Sequence, residues 1–153
     1  VIQDFDLVEL LNGVIEIFAM VARTKQIDLR YEGVNRLLVT ADMDMVKTIV
    51  RNLISNAIKF SSEGKEIVLR AVQKGSEVEV SVEDHGCGIS EEGQKKLLHS
   101  DSHFSTFGTK NEEGSGLGLL LCSDFIKKNN GRLWFTSKEG QGSTFFFTLP
   151  AAK

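Results

Sequence analysis

The sequence holds a single proline, Pro150, and only two cysteines, Cys87 and Cys122, in 153 residues. With its one proline near the end, the chain gives no sign of an internal linker. The cysteines are far apart and form no C-x-x-C pair. Two free thiols in a reducing compartment is the simplest reading. Excess positive charge is also missing: 18 Lys and Arg against 21 Asp and Glu leave a formal charge of −3. There is no basic footprint for nucleic acid and no polybasic patch for direct membrane contact. No apolar run reaches the roughly 18 residues that span a bilayer. No signal-peptide pattern, repeat or low-complexity tract is visible. What remains is an ordinary globular composition, 41% hydrophobic and 25% charged, long enough for one domain with a real core. The chain opens at Val1, without methionine and mid-pattern, so a domain of a longer protein is expected.

Hydrophobic spacing orders the chain. Asp4–Asp6 reads as either a short strand or a helix lead-in. Leu7, Leu10, Leu11, Val14, Ile17, Phe18 and Val21 have helical spacing and predict a helix to about Thr24. Ile27–Tyr31 and Leu37–Thr40 read as strands. Asp42 is a good N-cap for a helix from Met43 to Lys59, which Ser61–Gly64 breaks. Glu66–Gln73 and Glu77–Glu83 alternate well and turn at Gly75-Ser76, the clearest hairpin in the chain. Residues 90–98 suggest a short helix, and 99–116 predict no regular structure. A loop that long in a compact domain is usually functional or disordered. A helix from Leu117 to Asn129 ends at Asn130-Gly131. Strands at Arg132–Ser137 and Ser143–Leu149 close the sequence. Strands in hairpin-like pairs between helices predict an α+β fold. The expectation is a two-layer sandwich with a mixed, mostly antiparallel sheet of about five strands and about three helices on one face. A doubly wound parallel sheet would need a helix between most strands.

Three stretches carry chemistry. In RNLISNAIKF, Asn52, Asn56 and Lys59 stand at i, i+4 and i+7, within roughly 60° of one another on one helix face. Two amides and a lysine in line are unusual for a solvated stripe, where better helix formers are available. An Asn carbonyl can take one position on an octahedral Mg²⁺ whose other ligands are phosphates and water. A lysine one turn on can reach a phosphate oxygen. Alone, the pattern is equally a polar helix surface. In EDHGCGIS, Asp84 ends a strand and Gly86 and Gly88 follow. Such a carboxylate can accept from the amino group of adenine, and glycines admit close approach. Alone, this is equally a β-turn with a capping aspartate. In EGSGLGLLLC, Gly114, Gly116 and Gly118 lie at a helix N-terminus, where free N–H groups favour an anion. It is neither a P-loop nor a dinucleotide fingerprint, since no lysine follows and no strand precedes.

Together and in this order, the motifs resemble the catalytic ATP-binding domain of bacterial sensor histidine kinases, in the superfamily that includes gyrase, Hsp90 and MutL. The matches are N-x-x-x-N-x-x-K-F, D-x-G-x-G, G-x-G-L-G-L and the ending GQGSTFFFTLP, over about Phe5 to Pro150. The resemblance implies the Bergerat ATP-binding fold as a single domain over 1–153, with ATP and Mg²⁺ as ligands. It implies that Asn56 coordinates Mg²⁺ and that Asn52 lies near metal and phosphates. Lys59 would contact phosphate and Phe60 would pack beside the nucleotide. Asp84 would bind the adenine amino group. Gly86, Gly88 and Ile89 would line the base pocket, and His99 to Ser115 would form a mobile lid. Gly114, Ser115, Gly116, Leu117 and Gly118 would wall the phosphates, and Thr144 would help hold a water on the adenine. One departure concerns the phenylalanine box expected near Leu97-Leu98; here phenylalanines come later, at Phe104 and Phe107.

In superfamily members that hydrolyse ATP, the position of Asn52 is a glutamate. An amide is no general base at neutral pH. Transfer to a histidine fits better, because a neutral imidazole is already a nucleophile. His85, His99 and His103 do not fit the acceptor, which lies in the family on a separate dimerising helical hairpin. That segment is expected N-terminal to Val1. His99 and His103 lack a framework for a metal. A response regulator receiver domain is the implied partner, and the implied location is cytoplasmic, either free or as part of a membrane-anchored sensor. The alternatives are a superfamily ATPase or anti-sigma-type serine kinase, or a domain that binds nucleotide without catalysis.

Overall fold

A computed structural model describes residues 1–92, 105–107, 113–115 and 117–153. Strand β1 (Ile2–Asp6) leads into helix α1 (Leu7–Thr24); β2 (Asp28–Gly33) and β3 (Leu38–Asp42) precede helix α2 (Met43–Phe60). Then come β4 (Glu66–Lys74), β5 (Glu77–Glu83), β6 (Ser105–Phe107), β7 (Glu113–Ser115), helix α3 (Leu117–Lys128), β8 (Leu133–Lys138) and β9 (Gly142–Pro150).

Both long N-terminal helices begin on an aspartate. Asp6 accepts from the Val8 N–H and Asp42 from the Met45 N–H, each satisfying a donor that the first helical turn leaves free. The main sheet runs β2-β4-β5-β9-β8. Its β2–β4 pair is parallel and the other pairs are antiparallel. Alternation sends Ile67, Leu69, Val78, Val80, Val82, Phe147 and Leu149 to one face, all fully or almost fully buried. There they meet Leu7, Leu11, Ile49, Ile54, Cys122 and Ile126 of the three described helices in one core.

Two expectations are corrected. The strands around 27–31 and 37–40 do not form a hairpin: β3 pairs with β1 in a separate two-stranded sheet, and β2 pairs with β4. Apolar spacing cannot reveal this, because either partner satisfies the same alternation. Within 99–116, expected to lack regular structure, β6 and β7 form a small antiparallel ladder from Ser105–Ser115 to Phe107–Glu113. Three residues are too few for a period-2 signal. Of the helix expected at 90–98, Glu91 and Glu92 are helical; residues 93–98, like Phe104 and both lid histidines, lie outside the described residues.

None of the described helices packs on the second face of the sheet. An ionic ladder covers part of it: Arg30 pairs with Asp28, Glu32 and Glu66, and Arg70 pairs with Glu83 and Glu32. Beside it Trp134 stacks on Phe146 at 5.2 Å between centroids, with the Arg132 guanidinium over the indole.

Candidate nucleotide site

Asp84 follows β5 directly and points to the same face as Val82. It is 7% exposed. Its Oδ1 accepts from the backbone N–H of Gly86 at 3.0 Å and of Ser143 at 3.2 Å. Its own N–H donates to the Ser143 carbonyl at 2.8 Å. No described residue hydrogen-bonds Oδ2. Burial raises the carboxyl to about 6, against the pull of the two N–H donors. A buried carboxylate with one oxygen fixed and one unshared is a costly arrangement unless a donor is supplied from outside.

The turn after Asp84 is wedged between two other elements. Its Cys87 N–H donates to the carbonyl of Phe60, the last residue of α2, at 3.1 Å, and Ser61 bridges to Gly86. A Cβ on Gly86 would collide with the Phe60 carbonyl. On the other side, the Cys87 carbonyl accepts from Gly140 N–H at 2.7 Å. Gly88 has φ of +70°, and a Cβ there would strike the Lys138 carbonyl. Both glycines are thus required by the protein's own backbone, whatever approaches from outside. Ile89 is tied in by its N–H to Ser137 Oγ at 2.8 Å.

On α2, Asn56, Lys59 and Phe60 are half-buried on the last turns. No described residue hydrogen-bonds the amide of Asn56 or the ammonium of Lys59. Asn52, one turn earlier, is differently engaged. It lies against the Cys122 thiol on α3, whose burial pushes it up to about 11; that thiol donates to the Ile49 carbonyl at 3.7 Å. Asn52 therefore lies at the α2–α3 seam, one helical turn before Asn56.

Thr144 is set apart from Asp84 by one residue. It is in register with Glu83 and Thr136, on the open face of the sheet. Its neighbour Ser143 is the one beside Asp84, with Oγ 2.8 Å from Ser137 Oγ. Period-2 alternation decides between them, and applying it to the 143–149 strand would have selected Ser143. A cavity of about 380 Å³ lies here, with Asp84 and Ser143 in its lining beside open-face Thr136 and Thr144. Gly114 and Ser115 end β7, and Leu117 and Gly118 open α3. Gly116 lies outside the described residues. So the structure brings the end of α2, Asp84, Gly86, Gly88 and Ile89 into one place.

Two residues that the sequence did not single out hold this arrangement. Lys25 is buried, and its Nζ donates to the carbonyls of Ile58 and Lys59. Asn129 is 1% exposed; its Oδ1 accepts from Asp42 N–H at 2.7 Å and its Nδ2 donates to Phe125 O at 2.7 Å. Local patterning marks both as ordinary helix-end polar residues, and their long-range partners leave no local signal.

Residues 41–153 match the family of histidine kinase-, DNA gyrase B- and HSP90-like ATPases. The chain belongs to that family. Its fold matches the catalytic domain of histidine kinase ThkA with a TM-score of 0.83 at 32% identity, over 98% of this chain and 97% of that one. It also matches ThkA solved in complex with the response regulator protein TrrA, at TM-score 0.80 and 28% identity, over 99% of this chain and 42% of that one. Among sequences, it is 45% identical over 113 residues to the adaptive-response sensory kinase SasA of Crocosphaera subtropica, covering 73% of this chain and 29% of that protein. It is 34% identical to the alginate biosynthesis sensor protein KinB of Pseudomonas aeruginosa, covering 95% of this chain and 24% of that protein. The chain thus spans about a quarter to a third of the SasA and KinB proteins. The family is one of nucleotide-binding domains, in keeping with a histidine kinase catalytic fold. Among the described residues, no helix is long and apolar enough to cross a membrane.

Proposed function

We propose that this chain binds Mg-ATP and presents its γ-phosphoryl group to a histidine on a helical dimerisation segment outside these 153 residues. The observation that supports this is buried Asp84, whose Oδ2 no described residue hydrogen-bonds, an acceptor of the kind that the amino group of a purine needs. Ser143, fixed beside it, is the residue we assign to a water bridging carboxylate and base. Asn56 suits a hard cation: its amide oxygen is one ligand of the kind Mg²⁺ accepts when phosphates and water supply the rest. Bound Mg²⁺ neutralises charge on the phosphates and fixes their geometry. Lys59, three residues on, supplies a second positive charge to the phosphate side. Free N–H groups at the start of α3 add donors for the same anion.

No carboxylate stands at position 52, and Asn52 is engaged with Cys122. The chain therefore lacks a base there to activate water, which favours transfer over hydrolysis. Little turnover is expected from the isolated chain. The response regulator in the ThkA complex supports a receiver domain as the next phosphate acceptor, and a cytoplasmic location follows from that chemistry.

The test is calorimetric binding of ADP and ATP, with and without Mg²⁺, to the parent chain, Asp84→Ala and Asn56→Ala. The parent should bind. Asp84→Ala should lose nucleotide altogether, and Asn56→Ala should lose the Mg²⁺ dependence. A parent that binds neither nucleotide overturns the proposal.

A further inference from the structure

Lys25 is the C-cap residue of α1, yet it is only 6% exposed. Lysine is rarely buried unless its ammonium is satisfied. Here Nζ donates to the carbonyl of Ile58 at 2.7 Å and of Lys59 at 3.0 Å. These are among the last four carbonyls of α2, which lack intrahelical partners. The negative end of the helix dipole faces the same charge.

The turn that Lys25 caps is shared. On its far side, the Phe60 carbonyl accepts from Cys87 N–H and Ser61 bridges Gly86. Gly86 has no space for even one methyl group against Phe60. Any displacement of the turn from Ile58 to Ser61 therefore moves Lys59, Phe60 and Gly86 together. Gly86 N–H in turn holds Asp84 Oδ1. The cation is itself fixed in place. Ile27 N–H donates to Ala22 O at 2.8 Å, Gly64 N–H to Gln26 O at 3.1 Å, and Asp28 N–H to Lys65 O at 3.1 Å. The corner after α1 is thereby bonded to the corner after α2, with the ammonium between them.

We propose that Lys25 is a positioning residue for the nucleotide: it sets the register between the end of α2 and the Asp84–Gly88 turn, and so the affinity for adenine nucleotide. This rests on the nucleotide reading above. A residue that only stabilised the fold would lower the melting temperature without altering the affinity of folded molecules.

Affinity for Mg-ADP is measured for the parent, Lys25→Met, Lys25→Gln and the core variant Val14→Ala, each well below its melting temperature. Amide spectra of Gly86 and Cys87 are recorded alongside. Lys25→Met should weaken binding by about ten-fold or more and move both amide signals. Lys25→Gln keeps a neutral donor, should fold even where Met does not, and should show a smaller change in the same direction. Val14→Ala should melt lower with affinity and amide signals unchanged. Folded Lys25 variants with the parent's affinity, or an equal loss in Val14→Ala, overturn the positioning role alone. A parent that does not bind overturns the nucleotide reading with it.

Discussion

Asp84 works against the stability of the domain that carries it. Its carboxyl is raised to about 6 from an ordinary value of 3.8. The folded chain thus holds this proton more tightly than the unfolded one. Its contribution to stability is full below about 3.8 and is lost as pH rises through about 6. At neutral pH the ionised group costs on the order of 1–3 kcal/mol. Asn at this position keeps an oxygen for the Gly86 and Ser143 N–H groups and removes the charge. Asp84→Asn should therefore melt higher than the parent at pH 8, by about 2–8 °C, and the gap should close as pH falls below 6. The same variant should lose about 100-fold in adenine nucleotide affinity, since an amide N–H₂ then faces the base's own donor. The parent's affinity should weaken as pH falls through the range where Asp84 protonates. The sequence marks the aspartate and glycines of D-x-G-x-G as a candidate site. It does not show why the glycines are needed: they answer to the Phe60 and Lys138 carbonyls, contacts that only the assembled fold creates. Nor did the sequence separate Ser143 from Thr144 without the sheet's alternation in hand.

At the scale of elements, α2 is the piece on which the site depends, and its two ends are held by residues distant in sequence. Its start leans on Asn129, whose Oδ1 takes the Asp42 N–H. Asn129→Ala leaves that donor without its partner and should destabilise the chain by about 1–3 kcal/mol in urea unfolding. Its end abuts the Asp84 turn. Gly86→Ala must push the two backbones apart and should destabilise by about 3 kcal/mol or more, with nucleotide binding lost even in the folded fraction. Helices α1 and α2 were legible to within a residue, because each has an unbroken apolar stripe and α2 also has its Asp42 cap; the Asp6 cap of α1 emerged only in the fold. The β4–β5 hairpin was legible for its alternation and its Gly75 turn. The partners of β2 and β3 were not, since pairing across α2 depends on how the helix lays its apolar face on the sheet.

At the scale of the whole molecule, the described residues form two layers with one core between three helices and a five-stranded sheet. Among the described residues, the other face of the sheet carries an Arg–Glu ladder and the Trp134–Phe146 stack. That leaves the end of α2 and the Asp84 turn on the helical side of the sheet. The chain covers only about a quarter to a third of its relatives. Supplied with a helical segment bearing the acceptor histidine, it should produce acid-labile, alkali-stable phosphate; alone, it should hydrolyse ATP slowly. The most direct measurement is a titration of the parent chain and Asp84→Asn with ATP in the presence of Mg²⁺ at pH 8. Saturable one-to-one binding by the parent, lost in a variant that melts higher, is the result predicted. A parent that does not bind ATP, or a variant that binds it equally well, would contradict the account.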